Sequence, residues 1–115
     1  MNIAIKRVYE PTHRNDGLRV LVDRLWPRGL SKDAAQVDIW AKDLAPSHEL
    51  RRWFHGDEGN WKDFKARYRK ELASRRPEAE ALRKAIGRRK ATFLFGTKAE
   101  SHNHAQLLAA FLERL

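Results

Sequence analysis

Residues 19–29 read RVLVDRLWPRG, and this segment predicts the centre of the fold. Its apolar part, residues 20–22, is a short uninterrupted run, which is typical of a strand buried on both faces. Charge follows at once with Asp23 and Arg24, and a Trp-Pro pair then ends the extended segment, so we predict a strand over residues 19–25. Open α/β sheets bind ligands at the carboxyl ends of their strands, so this junction is the first candidate for a functional site.

Two other segments predict further strands of the sheet. Residues 2–9 carry Ile and Val at strand-like positions, and residues 91–95 form a second uninterrupted apolar run. Residues 37–44 stay open between a short strand and an irregular packed segment. Long helical connections favour parallel pairing, because parallel strands need crossovers. We predict an α/β fold with a small, mainly parallel sheet of three to four strands, flanked by about five helices in one domain, residues 1–115.

The helices are predicted from apolar stripes and capping residues. Trp61, Phe64, Tyr68 and Leu72 recur at steps of three and four residues, and Asn60 precedes them as a cap. The other predicted helices start after Ser31, after Ser47, at Pro77 and at Ser101.

Composition limits the classes of partner. The net charge is +9, from 24 Lys and Arg against 15 Asp and Glu. Such a charge favours anionic partners, although a solvated basic surface is enough to explain it and is favoured over a nucleic-acid groove. The chain has no cysteine, which excludes disulfides, thiolate metal sites and a thiol nucleophile. No apolar run approaches the ~20 residues of a membrane helix, and no signal segment opens the sequence, so we expect a cytoplasmic protein without membrane contact.

Residues 16–32, reading DGLRVLVDRLWPRGLSK, also carry a resemblance to known proteins. Shorter matching pieces are KRVY at 6–9, LAPS at 44–47, WFH at 53–55 and NHA at 103–105. With these pieces the chain resembles the YeaO-like branch of a bacterial domain family of unknown function. The resemblance implies a small cytosolic α/β domain and implies no particular reaction. Where the family tends to have an Ala-rich turn after the last strand, this chain has FGTK at 95–98.

The first group of candidate site residues surrounds the end of the central strand. Asp23 is a candidate catalytic base, and Arg24 or Arg28 can clamp a phosphate or carboxylate. The alternative for Asp23 is a structural ion pair or a carboxylate that binds loop amides. Trp26 either lines a pocket or packs in the core. Arg7 reaches the same edge if the first strand lies beside the second.

The second group lies between the last strand and the last helix. Lys98, Ser101 and Asn103 occupy the segment where free amides and the helix dipole can hold an anion. His102 is a candidate proton shuttle, because histidine titrates near neutral pH. The alternative is that Ser101 caps the helix and Asn103 ties the loop down.

These residues do not predict a metal or a cofactor. The five histidines lack ligand spacing, and no glycine-rich cofactor loop follows a strand. Our leading interpretation is a domain that binds an anionic small molecule at the carboxyl ends of its strands, with enzymatic activity left open. The alternatives are a basic nucleic-acid- or ribosome-associated protein and an interaction module without chemistry. The oligomeric state stays open.

Overall fold

The computed structural model describes residues 1–54, 59–97 and 103–115. These ranges contain one four-stranded parallel sheet with the strand order β1-β4-β2-β3. The strands are β1 Ile3–Arg7, β2 Leu18–Leu21, β3 Ile39–Trp40 and β4 Ala91–Phe95. The described helices are α1 Lys32–Ala35, α2 His48–Phe54, α3 Trp61–Ser74, α4 Arg76–Ile86 and α5 His104–Glu113. The predicted fold class is confirmed.

The centre of the sheet is β4, which pairs with β1 on one side and with β2 on the other. All five of its residues are buried, which explains why its sequence is apolar without alternation. The prediction that the apolar runs at residues 20–22 and 92–95 mark buried parallel strands is therefore confirmed, with Val22 buried just beyond the end of β2. The second strand is shorter than the predicted residues 19–25. The backbone amide of Val22 still donates to the Leu94 carbonyl oxygen at 3.0 Å, and the chain then leaves the sheet.

The two faces of the sheet are covered differently. On one face, Val20, Phe93 and Phe95 join a large apolar core with α2, α3, α4 and α5. On the other face, Leu21 and Leu94 form a small cluster with Val8, half-buried side chains and the segment around α1. This alternation follows from the two-residue period of a strand.

A buried polar network completes the second face. Arg19 is only 4% exposed, and its guanidinium donates to the carbonyl oxygen of Ala35 and to the carboxylate of Asp16. Lys6 contributes an ion pair to the same carboxylate at 3.1 Å. Burial by itself raises the pKa of Asp16, but hydrogen bonds from the His13 amide, Lys6 and Arg19 outweigh it, so the pKa lies below its ordinary value. The network fixes α1 against the sheet.

Local sequence signals account for most helix starts. Ser31, Ser47 and Asn60 each accept a hydrogen bond from a backbone amide three residues later, as predicted. The last helix differs, because its N-cap is Asn103, whose side chain accepts from the Gln106 amide. The predicted start at Ser101 lies outside the described residues, and the described helix begins at His104.

The two interpretations of residues 37–44 both hold in part. Residues 39 and 40 form β3, and Lys42–Leu44 forms a 3-10 turn. In the part of the chain that the structure describes, no helix has both the length and the apolar character needed to cross a membrane.

Candidate functional site

A cavity of about 400 Å³ opens at the carboxyl ends of β2 and β4. One wall is the segment that follows β2, and another contains Gly96 and Thr97 after β4 together with the start of α5. Side chains from α2 and α3, together with Tyr9 and Pro46, form the remaining described wall. The cavity therefore lies between the two segments that carry the candidate residues.

Asp23 holds these segments together. Its Oδ1 lies 2.8 Å from Nε2 of His104, and its Oδ2 accepts a hydrogen bond from the Gly96 amide at 2.8 Å. Its backbone oxygen accepts from the indole of Trp40 at 2.7 Å. Asp23, two residues after the end of β2, is thus bonded to the loop after β4, to the first turn of α5 and to β3. Both carboxylate oxygens therefore have partners within the protein.

Tyr68 contacts the site from the apolar core. It is fully buried on α3, donates to the Leu44 carbonyl oxygen at 2.6 Å and meets the ring of His104 edge-on, with centroids 6.5 Å apart. Burial raises the pKa of its hydroxyl well above the ordinary value, and the charges of Glu71 and Asp23 add to that rise. The phenol is therefore a neutral donor that fixes the loop before α2.

Two arginines line the cavity, and they differ in how they are held. Arg24 donates to the carbonyl oxygens of Pro46 and Ala45 at 3.3 and 3.4 Å, so that its guanidinium is tied to the loop before α2. Arg51 lies on α2 and is exposed. Among the residues that the structure describes, its guanidinium has no hydrogen bond or ion pair. Among the described lining residues, Arg51 therefore presents a guanidinium that a ligand can reach.

Aromatic rings form much of the cavity wall. Trp26 is half-buried, donates from its indole to the Leu30 carbonyl oxygen at 2.7 Å and packs edge-on against Trp40 at 5.4 Å. The rings of Trp61 and Phe64 stack with their centroids 5.5 Å apart and an interplanar angle of 15°. The sequence left open whether Trp26 lines a pocket or packs in the core. In the structure Trp26 lines the cavity and also packs against Trp40.

The predicted site residues separate into three groups. Those that line the cavity are Asp23, Arg24, Trp26 and Asn103. Two others lie outside its lining: Arg28 is exposed, and Arg7 donates to the carbonyl oxygens of Thr97 and Gly96. The condition set for Arg7 is not met, because β1 lies beside β4 and not beside β2. Arg7 instead reaches the edge at which β4 ends, where it holds the loop after that strand. The remaining predicted residues, Lys98, Ser101 and His102, lie outside the described residues.

Sequence reasoning missed two residues of this site. His104 was passed over for His102, and Arg51 was not selected. A signal existed for each of them. His104 lies in the first turn of α5, the helix that follows β4. Because β4 pairs in parallel with β2, the segment after β4 lies at the same edge of the sheet as Asp23, which follows β2. Arg51 lies three residues before Phe54, which puts the two side chains on the same side of α2.

A metal site is not apparent in the described ranges, where no three His, Asp or Glu side chains are grouped so that they could hold an ion. The candidate chemistry is therefore that of a cavity with cationic and aromatic walls. Its one described carboxylate is bonded to a loop amide and an imidazole.

Comparisons with known proteins cover nearly the whole chain. Residues 2–115 match the family model described as the inactive DUF488-N3 subclade. The chain is 43% identical over 115 residues to the uncharacterized protein YeaO of Escherichia coli (strain K12), with 100% of both chains covered. It is 44% identical over 110 residues to the uncharacterized protein Rv3073c of Mycobacterium tuberculosis (strain ATCC 25618 / H37Rv), with 96% of this chain and 92% of the relative covered.

No solved structure matches the chain. The resemblance to YeaO-like proteins that the sequence motifs indicated is confirmed by these matches. The chain belongs to the family described as the inactive DUF488-N3 subclade.

Proposed function

We propose that this chain binds a small molecule bearing a phosphate or carboxylate group in the cavity at the carboxyl ends of β2 and β4. The observation that carries the proposal is the exposed guanidinium of Arg51, which lines the cavity without a partner among the described residues. Arginine suits such a ligand, because its planar fork of donors matches the oxygens of a phosphate or carboxylate.

The charge balance of the cavity supports the same ligand class. Its described lining contains two guanidinium groups, from Arg24 and Arg51, and one carboxylate, from Asp23. That carboxylate is bonded to His104 and to a loop amide, which offsets its repulsion of an incoming anion. A concave site lined by an excess of one charge concentrates ligands of the opposite charge.

The proposed function is recognition without turnover. The family to which the chain belongs is described as inactive. The geometry is compatible with that description, because Asp23 is engaged by two protein groups in the way expected of a residue that fixes loops. We therefore assign Asp23 and His104 to holding the cavity walls in place, and we propose no reaction for them.

The first prediction compares two neighbouring arginines on α2. Arg51→Ala should weaken the binding of inorganic phosphate by about tenfold to a hundredfold, because a hydrogen bond to a charged group contributes about 1.5–3 kcal/mol. Arg52→Ala is the matched control. Arg52 is also exposed, its guanidinium lies against His48, and it is not among the residues lining the cavity.

Isothermal titration calorimetry at constant ionic strength measures both affinities. Constant ionic strength matters because salt screens any general attraction to a protein of net charge +9. Phosphate affinities that fall equally in Arg51→Ala and Arg52→Ala would contradict the proposal, since general surface charge would then explain the binding.

A further inference from the structure

The cavity is larger and more aromatic than a simple anion requires. Its volume of about 400 Å³ lies within the range of about 300–1,000 Å³ that is typical of small-molecule sites. A lone phosphate would occupy only part of it. Aromatic side chains are numerous among the described lining residues: Tyr9, Trp26, Phe54, Trp61 and Phe64.

These rings come from separate parts of the chain, and four of the five pack against other rings. Trp26 follows β2 and is fixed by its hydrogen bond to Leu30 and its edge contact with Trp40. Phe64, on α3, stacks on Trp61 and lies 4.4 Å from the ring of Phe54 on α2. Rings that are already ordered lose little conformational freedom when a ligand packs against them, so they favour binding.

Cationic and aromatic groups therefore share one cavity. We propose that its ligand is an aromatic anion, in which a planar ring carries a phosphate or carboxylate group. The anionic group is bound by Arg51 and Arg24, and the ring packs against the aromatic wall that includes Trp26. This inference rests on the proposed function, and it adds that the ligand must carry a ring.

Two pairs of probes separate the ring from the charge. Adenosine 5′-monophosphate and ribose 5-phosphate share the phosphate, whereas benzoate and cyclohexanecarboxylate share the carboxylate and differ in the planarity of the ring. Stacking of a ring on an aromatic side chain gives about tenfold tighter binding. In at least one pair, the aromatic member should therefore bind the wild-type chain about tenfold more tightly. The pair that shows the preference identifies the anionic group.

A pair of tryptophan variants locates the ring. Trp26→Leu should abolish the preference for the aromatic member and leave the affinity for its non-aromatic partner within about twofold. Trp53→Leu is the control, since Trp53 faces Arg67 with 4.1 Å between guanidinium carbon and ring centroid and is not among the residues lining the cavity. Trp53→Leu should keep the preference. Calorimetry on the wild type needs neither variant, so a poorly folded variant does not remove the test.

The outcomes separate the two proposals. Equal affinities within both pairs, together with loss of binding in Arg51→Ala, would overturn the aromatic ligand and retain the anion site. Absence of binding by all four probes and by inorganic phosphate would overturn both. If Trp26→Leu and Trp53→Leu remove the preference for the aromatic probe equally, the proposal that the ligand ring packs against the wall containing Trp26 is overturned.

Discussion

Asp16 shows how one buried carboxylate can organise a face of the sheet. It is 7% exposed and is bonded to the guanidinium of Arg19, the ammonium of Lys6 and the backbone amide of His13. Its backbone oxygen also accepts from the buried hydroxyl of Thr92 at 2.7 Å. Removing one partner from such a network leaves the opposite charge buried without compensation, and this is costly.

Replacing Asp16 with Asn should therefore lower the free energy of unfolding by about 3 kcal/mol near pH 6. The pKa of Asp16 is lowered in the folded state, so its contribution is fully present above the ordinary value of 3.8 and is lost as the pH falls through the lower folded value. The difference between the wild type and Asp16→Asn should narrow below about pH 4 in urea unfolding curves.

Asp33→Asn is the matched control for this charge change. Asp33 is exposed in the first turn of α1, and its replacement should change stability by no more than about 0.5 kcal/mol. A deficit of Asp16→Asn that stays constant from pH 6 to pH 2 would contradict the assigned role of the Asp16 carboxylate.

At the scale of single residues, the sequence indicates Asp23 as a candidate site residue more clearly than it indicates His104, the side chain that contacts it. A charge directly after a buried strand is visible within a few positions of the chain. His104 is 81 positions further along, and its contact with Asp23 depends on which strands are neighbours in the sheet. Arg51 was not selected from the sequence for a related reason. An exposed arginine indicates a binding site only when the cavity beside it is known.

At the scale of elements, α2 connects stability to the proposed site. This helix has seven residues and would be marginal alone, so it depends on its contacts with the rest of the chain. Ser47 caps it through the Leu50 amide, and both the amide and the hydroxyl of Ser47 donate to the Glu71 carboxylate on α3. The hydrogen bonds between Ser47 and Glu71 hold α2, the helix that carries Arg51, against α3.

Ser47→Ala should therefore destabilise the protein by about 1–2 kcal/mol, as loss of an N-cap does. The change should also weaken phosphate binding, because Arg51 is then held less firmly. Ser74→Ala is the control, since Ser74 donates only to a backbone oxygen at the exposed end of α3, and its loss should cost at most about 0.5 kcal/mol. Chemical denaturation and calorimetry on the same samples measure both effects. Equal destabilisation by the two variants would contradict the capping role of Ser47.

The elements were largely predictable because their signals are local. Ser31, Ser47 and Asn60 are caps that a reader can identify from the next three residues. The early end of β2 was not predictable in that way. The chain leaves the sheet just before Asp23, whose carboxylate is bonded to Gly96 and His104, and both of these residues are distant in the sequence.

At the scale of the whole molecule, the net charge of +9 offers a competing explanation of anion binding. The basic residues 88–90 follow α4, but the guanidinium of Arg89 donates to the carbonyl oxygens of Ala85 and Ile86 at the end of that helix. Phosphate contacts on such a surface would be nonspecific and would weaken steeply with salt. A localised site and a diffuse basic surface therefore differ in where an anion perturbs the protein.

The most direct test is a titration of the ¹⁵N-labelled protein with inorganic phosphate at constant ionic strength, followed by two-dimensional NMR. The indole signals of Trp26 and Trp61 and the backbone amide of His104 should shift in a saturable manner, because these residues line the cavity. The indole signal of Trp53, which is not among the lining residues, should stay in place. Shifts concentrated at residues 88–90, with the cavity signals unchanged, would contradict the proposed anion site.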